Sequence, residues 1–156
     1  MNRKDPLVLI LFFLITGCSG NLPELGVHHG QLMKCPGTPN CVNSQAPDEK
    51  HFVQPIRFIG TQQEARDLLL DVLKEWKRVN ITAIEENYIR AEFTSAIFRF
   101  VDDVEFYFPG TTSNEMIIHV RSASRVGRSD LGVNRKRIEQ IRSKVKALDK
   151  GKHYER

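Results

Sequence analysis

The chain is expected to fold as an α+β domain: an antiparallel sheet of about five strands in the order β-α-β-β-β-β-α, with two helices packed on one face. Three observations lead there. Ala65, Leu68, Leu69, Val72, Leu73 and Trp76 repeat at three-and-four spacing directly after a helix-start signal. Alternating apolar segments then follow one another from Val79 to Ser124 with no helical pattern between them, which implies antiparallel pairing. A second helical pattern closes the chain, and two helices with one apolar stripe each cover a single sheet face. At 156 residues there is material for one domain with one modest core.

The elements follow in order. Phe52 to Phe58 contains Pro55, which suits an edge strand because proline cannot donate to a ladder. Thr61-Gln62-Gln63-Glu64 is a capping-box pattern, so the first helix starts there, and Trp76 is read as a packing residue. Val79, Ile81 and Ala83 alternate with polar residues, as do Ile89, Ala91 and Phe93, and Glu86-Asn87 supplies the turn between these strands. Val104, Phe106 and Phe108 give a third strand, and Ile118, Val120, Ser122 and Ser124 share one side of a fourth. Ser95 to Val101 fits strand and turn equally. The last helix is expected from Asp130, as N-cap, to Leu148. This order is that of TBP-like and helix-grip folds, an analogy of topology that carries no function.

The beginning of the chain reads as an address. MNRKDPLVLILFFLITGC has two basic residues, an apolar run from Leu7 to Ile15 and a small residue before Cys18. The run falls short of the roughly 20 apolar residues that a permanent membrane span needs. Ile15-Thr16-Gly17-Cys18 resembles the lipobox of bacterial lipoproteins, in which the cysteine is acylated and becomes the first mature residue. That resemblance implies an acylated Cys18 anchored in the membrane, and Ser19 after it implies the outer membrane, facing the periplasm. Residues 1–17 are then a signal peptide, 18–34 a Gly- and Pro-containing tether, 35–149 the domain and 150–156 a flexible tail. Without the leader the chain carries 21 Lys plus Arg against 18 Asp plus Glu, a net charge of about +3. That suits an anionic ligand or surface and is too weak to argue for nucleic acid.

Cys35 and Cys41, in CPGTPNC, are the remaining thiols, and outside the cytosol they are expected to pair. Closing so short a loop constrains the unfolded chain by about 2 to 2.5 kcal/mol, so it pins a loop more than the fold. The competing metal reading would add His28 and His29, but the cysteine spacing is not one that zinc sites use. No metal or cofactor is expected.

The densest chemistry lies in RSASRVGRSDLGVNRKRIEQIR, Arg121 to Arg142. On a wheel at ~100° per residue, Asn134 falls in the same arc as Leu131, Ile138, Ile141, Val145 and Leu148. Strand parity sends Ser122 and Ser124 inward with Ile118 and Val120, while His119, Arg121 and Arg125 face the other way. An amide and two hydroxyls therefore converge inside the core, where an unsatisfied polar group costs about 1 to 3 kcal/mol. Two accounts stay open. Asn134 and the serines lace the strand to the loop Val126 to Gly132, or Arg121, Arg125 and Arg128 with Ser129, Asp130 and the helix N-terminus seat a carboxylate or phosphate.

Taken together, CPGTPNCVNS, FVDDVEF and the long motif resemble the DUF1499 family, small domains of uncharacterised function found in bacterial lipoproteins and other secreted or membrane-linked proteins. The resemblance spans Cys35 to about Leu148. The matching positions are Cys35, Pro36, Asn40, Cys41, Asp102, Asp103, Arg121, Ser122, Ser124, Arg125, Gly127, Ser129, Asp130, Gly132 and Asn134. No catalytic role comes with it.

Catalysis finds little support in the residues themselves. His119 points away from Ser122 and Ser124, and no G-x-S-x-G elbow frames any of the serines. Gly127 and Gly132 have P-loop spacing, but Val133 and Asn134 stand where Lys and Ser or Thr are required. Asp102 and Asp103 are adjacent and so lie on opposite faces; Asp103 or its neighbour is expected to pair with Arg121 or Arg125 in a partly exposed salt bridge. The leading expectation is a lipid-anchored, non-enzymatic envelope module that binds an anionic or amphipathic small molecule or an envelope protein. The alternatives are a hydrolase or transferase with a serine nucleophile, and a purely structural protein.

Overall fold

The computed structural model describes residues 25–113 and 115–154, with side chains as far as residue 149. The expected signal peptide, the acylated Cys18, the first part of the tether and the end of the tail lie outside the described residues. The chain runs β1 (Val27–His28), β2 (Gln31–Leu32), β3 (Cys41–Asn43), β4 (Ile56–Ile59), α1 (Gln62–Lys74), β5 (Val79–Ile84), β6 (Tyr88–Thr94), β7 (Val101–Tyr107), β8 (Glu115–Ser124) and α2 (Val133–Tyr154). It is an α+β fold with an antiparallel sheet in the order β3-β8-β7-β6-β5, six strands among the described residues once β4 is added.

The strands β5 to β8 form the meander that alternation predicts, each paired with the next. Along the free edge of β8, two short strands lie end to end. Ile56–Ile59 pairs with residues 115–118, and Cys41–Asn43 pairs with residues 121–123. The sheet therefore has one strand more than expected. Three residues containing a cysteine and an asparagine are too short and too polar for alternation to reveal, and it is the ladder with β8 that makes them a strand.

Ile89, Ala91, Val104, Phe106, Ile118 and Val120 face the helices and are fully buried. Ala65, Leu68, Leu69, Val72 and Leu73 of α1 and Ile138, Ile141 and Val145 of α2 close over them. At the start of α1 the capping box forms as predicted: Glu64 N donates to Thr61 Oγ1 at 3.2 Å, and Thr61 N donates to Glu64 Oε2 at 2.9 Å. Trp76 meets Phe93 edge-on with ring centroids 5.4 Å apart, so it is a packing residue.

Three expectations need correction, and one open alternative is decided. Residues 25–34 are not a structureless tether, because β1 and β2 form a hairpin that buries Leu32 against the domain. Leu131 is not part of the α2 stripe: the helix starts at Val133, and Leu131 sits 95% exposed in the preceding loop with φ 52°. The helix also continues past Leu148 to Tyr154, through much of the expected tail. Ser95 to Phe100 is a loop, closed where Ser95 N donates to the Phe100 carbonyl at 2.8 Å, and β7 begins at Val101.

Candidate functional site

The motif residues divide between the two faces of the sheet. On the helix face, β8 presents Ser122 and Ser124 and β7 presents Asp102, with Asp102 opposite Ser124 in the ladder. The first turn of α2 lowers Asn134 onto them. Its backbone N–H donates to Asp130 Oδ2 at 2.7 Å while Gly132 N donates to Asp130 Oδ1 at 3.0 Å, so one carboxylate holds the entry to the helix. Gly127 and Gly132 adopt φ of 84° and 79°, a conformation that glycine reaches without strain.

Ser122 Oγ donates to Asn134 Oδ1 at 2.5 Å. Asn134 Nδ2 donates to Ser124 Oγ and to the Asn40 carbonyl, each at 3.0 Å. Asn134 thus stitches α2, β8 and the segment before β3 through one amide. Asn40 returns the connection, since its Nδ2 donates to the Gly127 carbonyl at 2.7 Å. Beneath this knot lies Arg137, one helical turn after Asn134. Its guanidinium donates to Ser122 Oγ at 3.0 Å, to Asn134 Oδ1 at 2.5 Å and to Asp102 Oδ2 at 2.6 Å, and it stands 4.8 Å over the Phe93 ring.

The other face holds a second network. Asp103, fully buried, receives Arg90 Nη2 at 2.7 Å and both Arg125 Nε and Nη2 at 2.8 Å. Arg125 also pairs with Glu92. Glu105, equally buried, receives Arg121 Nη1, Tyr88 Oη and the backbone N–H of Gly26 at about 3 Å each. Gly26 precedes β1, so the N-terminal hairpin is tied to this face by a carboxylate. Burial alone would raise the Asp103 carboxyl, but the bonds from Arg125 and Arg90 outweigh it and hold the group below the ordinary value of 3.8. The bond to Asp103 raises the Arg125 guanidinium further, and burial followed by the Glu105 charge pushes the Tyr88 phenol well above its usual range.

Arg121 and Arg125 therefore lie on the far face from the Ser122–Ser124–Asn134 knot and are matched by carboxylates. They do not line one seat with Arg128, which is exposed in the loop. The Asp103–Arg125 pair forms as expected but is buried rather than partly exposed. Ser129 is exposed, and its Oγ accepts the Leu131 N–H at 3.4 Å. Two hollows, of about 550 and 160 Å³, lie elsewhere. The larger runs between the end of α1 and α2 past Trp76, Lys136 and Ser143, and the smaller lies beside Leu32, Cys35 and Gln45. No motif residue from Arg121 to Asn134 lines either one.

Cys35 and Cys41 form a disulfide. His51, which no sequence pattern singled out, braces the same loop: its ring nitrogens lie 2.8 Å from Asp48 Oδ1 and 3.1 Å from the Thr38 carbonyl. Arg137 was also missed. Three residues after Asn134, Arg137 falls at the edge of the same helix face, and strand parity puts Asp102 beneath it, so spacing and parity together carried the signal.

His119 meets neither Ser122 nor Ser124. Its Nδ1 lies 3.2 Å from the hydroxyl of buried Ser44, its ring stacks on Tyr107, and burial lowers its pKa below 6.5. Ser44 Oγ accepts the Val120 N–H at 2.9 Å, which draws electron density away from the oxygen a nucleophile would use.

A family model described as a protein of unknown function, DUF1499, matches residues 31–145. A search of curated proteins finds no match to the chain.

Proposed function

We propose, from the premise that the chain belongs to the DUF1499 family, that it is a lipid-anchored, non-enzymatic module of the bacterial envelope. Its motif is structural, and its contact with an amphipathic ligand or partner is made by the end of the sheet beside the motif. One observation carries this reading: apart from Arg121 Nε, the motif's buried side-chain polar groups are engaged with partners inside the domain. Arg121, Arg125 and Arg137 each face a carboxylate, and Ser122, Ser124 and Asn134 close a mutual set of hydrogen bonds. Groups so committed would have to break buried bonds before touching a substrate. The exposed groups at that end include the apolar Ile97, Phe98, Phe100 and Leu131.

The lipobox supports the anchor, and the disulfide fits an oxidising compartment. Radiolabelled palmitate should enter the wild-type chain and be lost in Cys18→Ser, which should also leave the membrane fraction. Persistence of label and membrane location in that variant would remove the anchor from the account.

The hydrolytic reading is favoured by the Ser44–His119 contact alone. Among the described residues no carboxylate bonds the second ring nitrogen of His119, and Ser44 is 6% exposed. A fluorophosphonate probe is expected to leave the purified protein unlabelled. Labelling that disappears in Ser44→Ala would overturn the non-enzymatic reading.

A further inference from the structure

The geometry points to the β6–β7 loop, Ser95 to Phe100, with Leu131 beside it, as a wedge that enters the anionic surface of the membrane to which the chain is anchored. The proposal rests on the anchored reading above and names its partner.

The loop is apolar where a loop should be polar. In Ser95-Ala96-Ile97-Phe98-Arg99-Phe100, Ile97 is 82% and Phe98 72% exposed, and Phe100 is half exposed. A loose loop would fold such groups back against the domain. This one is closed at its base by the backbone bond from Ser95 to Phe100 and by Phe100 N donating to Ser95 Oγ at 2.9 Å. Arg99 takes φ 57°, and the rings on either side of it stack with centroids 5.5 Å apart. The aromatics are thus held outward against the drive to bury them.

The neighbouring loop adds to the same end of the sheet. Arg125 N donates to the Val101 carbonyl at 3.1 Å, so the chain leaving β8 departs beside the chain entering β7. Six residues on, Leu131 is almost fully exposed and held at φ 52°, a left-handed conformation that is costly for a leucine. Val133 is half exposed next to it. Arg99 and Arg128 are exposed and form no ion pair among the described residues, in contrast to Arg90, Arg121, Arg125 and Arg137. Apolar side chains fringed by unpaired arginines match the acyl boundary and phosphate layer of an anionic leaflet.

Reach selects this occupant over a soluble partner. The described chain begins at Leu25, beside Gly26, which is bonded to Glu105. From Glu105 the strand rises ~13 Å to Val101 at the tip end. The seven residues from Cys18 to Leu25 can extend ~25 Å at most. An acylated Cys18 therefore keeps the domain close to the bilayer, with enough slack for the wedge to come down onto it.

The test uses the full acylated chain in vesicles of phosphatidylethanolamine and phosphatidylglycerol, with Trp76→Phe removing the single native tryptophan and Phe98→Trp reporting from the wedge. The reporter's emission should shift to the blue, and brominated acyl chains should quench it several-fold more than a reporter at exposed Glu86 (Glu86→Trp) in the β5–β6 turn, at the other end of these strands. Replacing phosphatidylglycerol by phosphatidylcholine should weaken the quenching. If the chain floats with the vesicles but bromine leaves the Phe98→Trp emission unchanged, the wedge is overturned and the anchor stands. If it does not float, the anchored reading fails and this proposal with it. A blue shift that follows protein concentration rather than bromine would overturn the proposal in favour of a second copy. Because both reporter sites are exposed, far-ultraviolet circular dichroism and unfolding midpoints of each variant matching the Trp76→Phe parent certify the fold.

Discussion

Asn134 decides whether the two halves of the domain are joined. Its amide answers a serine, an arginine, a second serine and a backbone carbonyl, and the asparagine itself is fully buried. Asn134→Ala leaves the Ser122 hydroxyl proton and one Arg137 donor without their acceptor, while the Asn40 carbonyl keeps the Ser124 N–H, so about 2 to 3 kcal/mol should be lost. Urea unfolding should show this as a lower midpoint with an unchanged slope. Across the sheet, Glu105→Gln keeps the shape and removes the charge opposite buried Arg121. An uncompensated buried guanidinium costs about 3 to 5 kcal/mol, so this conservative change should destabilise more than Asn134→Ala. Equal or smaller loss would show that water reaches Arg121.

Among the elements, the β6–β7 loop and α1 give opposite expectations. Phe98 and Phe100 contribute little to the core, so Phe98→Ser with Phe100→Ser should shift the unfolding midpoint by less than about 0.5 kcal/mol while weakening vesicle contact. Thr61→Ala breaks a capping box that faces water and should cost about 1 kcal/mol with no effect on vesicles. Stability and surface function are thereby separable by comparing these two variants in urea unfolding and in vesicle binding. Reducing Cys35–Cys41 should loosen the loop that His51 braces without unfolding the sheet, because β3 keeps its ladder to β8.

For the whole molecule, the titrations of His119 and Asp103 shape the response to acid. The folded-state pKa of His119 lies below its unfolded value of 6.5, so the unfolded chain takes up a proton first as the pH falls. Stability should decline from about pH 6.5 down to the folded-state value, and His119→Gln should flatten that part of the profile. The Asp103 contribution is complete above 3.8 and is lost as the pH falls through its lower folded-state value, so a second decline should follow below pH 3.8.

Much of this was legible in the sequence wherever a residue's role follows from period alone. The capping box, the meander and the inward direction of Ser122, Ser124 and Asn134 are local or depend on parity. The pairing of Arg137 with Asp102, the burial of Glu105 beneath the hairpin and the strand at Cys41 depend on what lies across the sheet, and no spacing within one segment carries that. The apolar wedge was in plain view as Ile97-Phe98-Arg99-Phe100, but only the fold shows those side chains facing solvent.

The central claim is that the motif is committed inward, and the side-chain amide protons of Asn134 report on it directly. Their exchange with deuterium, followed by NMR, should be slowed far below that of a free primary amide, since the bonds to Ser124 and the Asn40 carbonyl open only when α2 leaves the sheet. Exchange at the rate of a free primary amide would mean that Asn134 is open to water and its bonds to Ser122, Ser124 and Asn40 are not made.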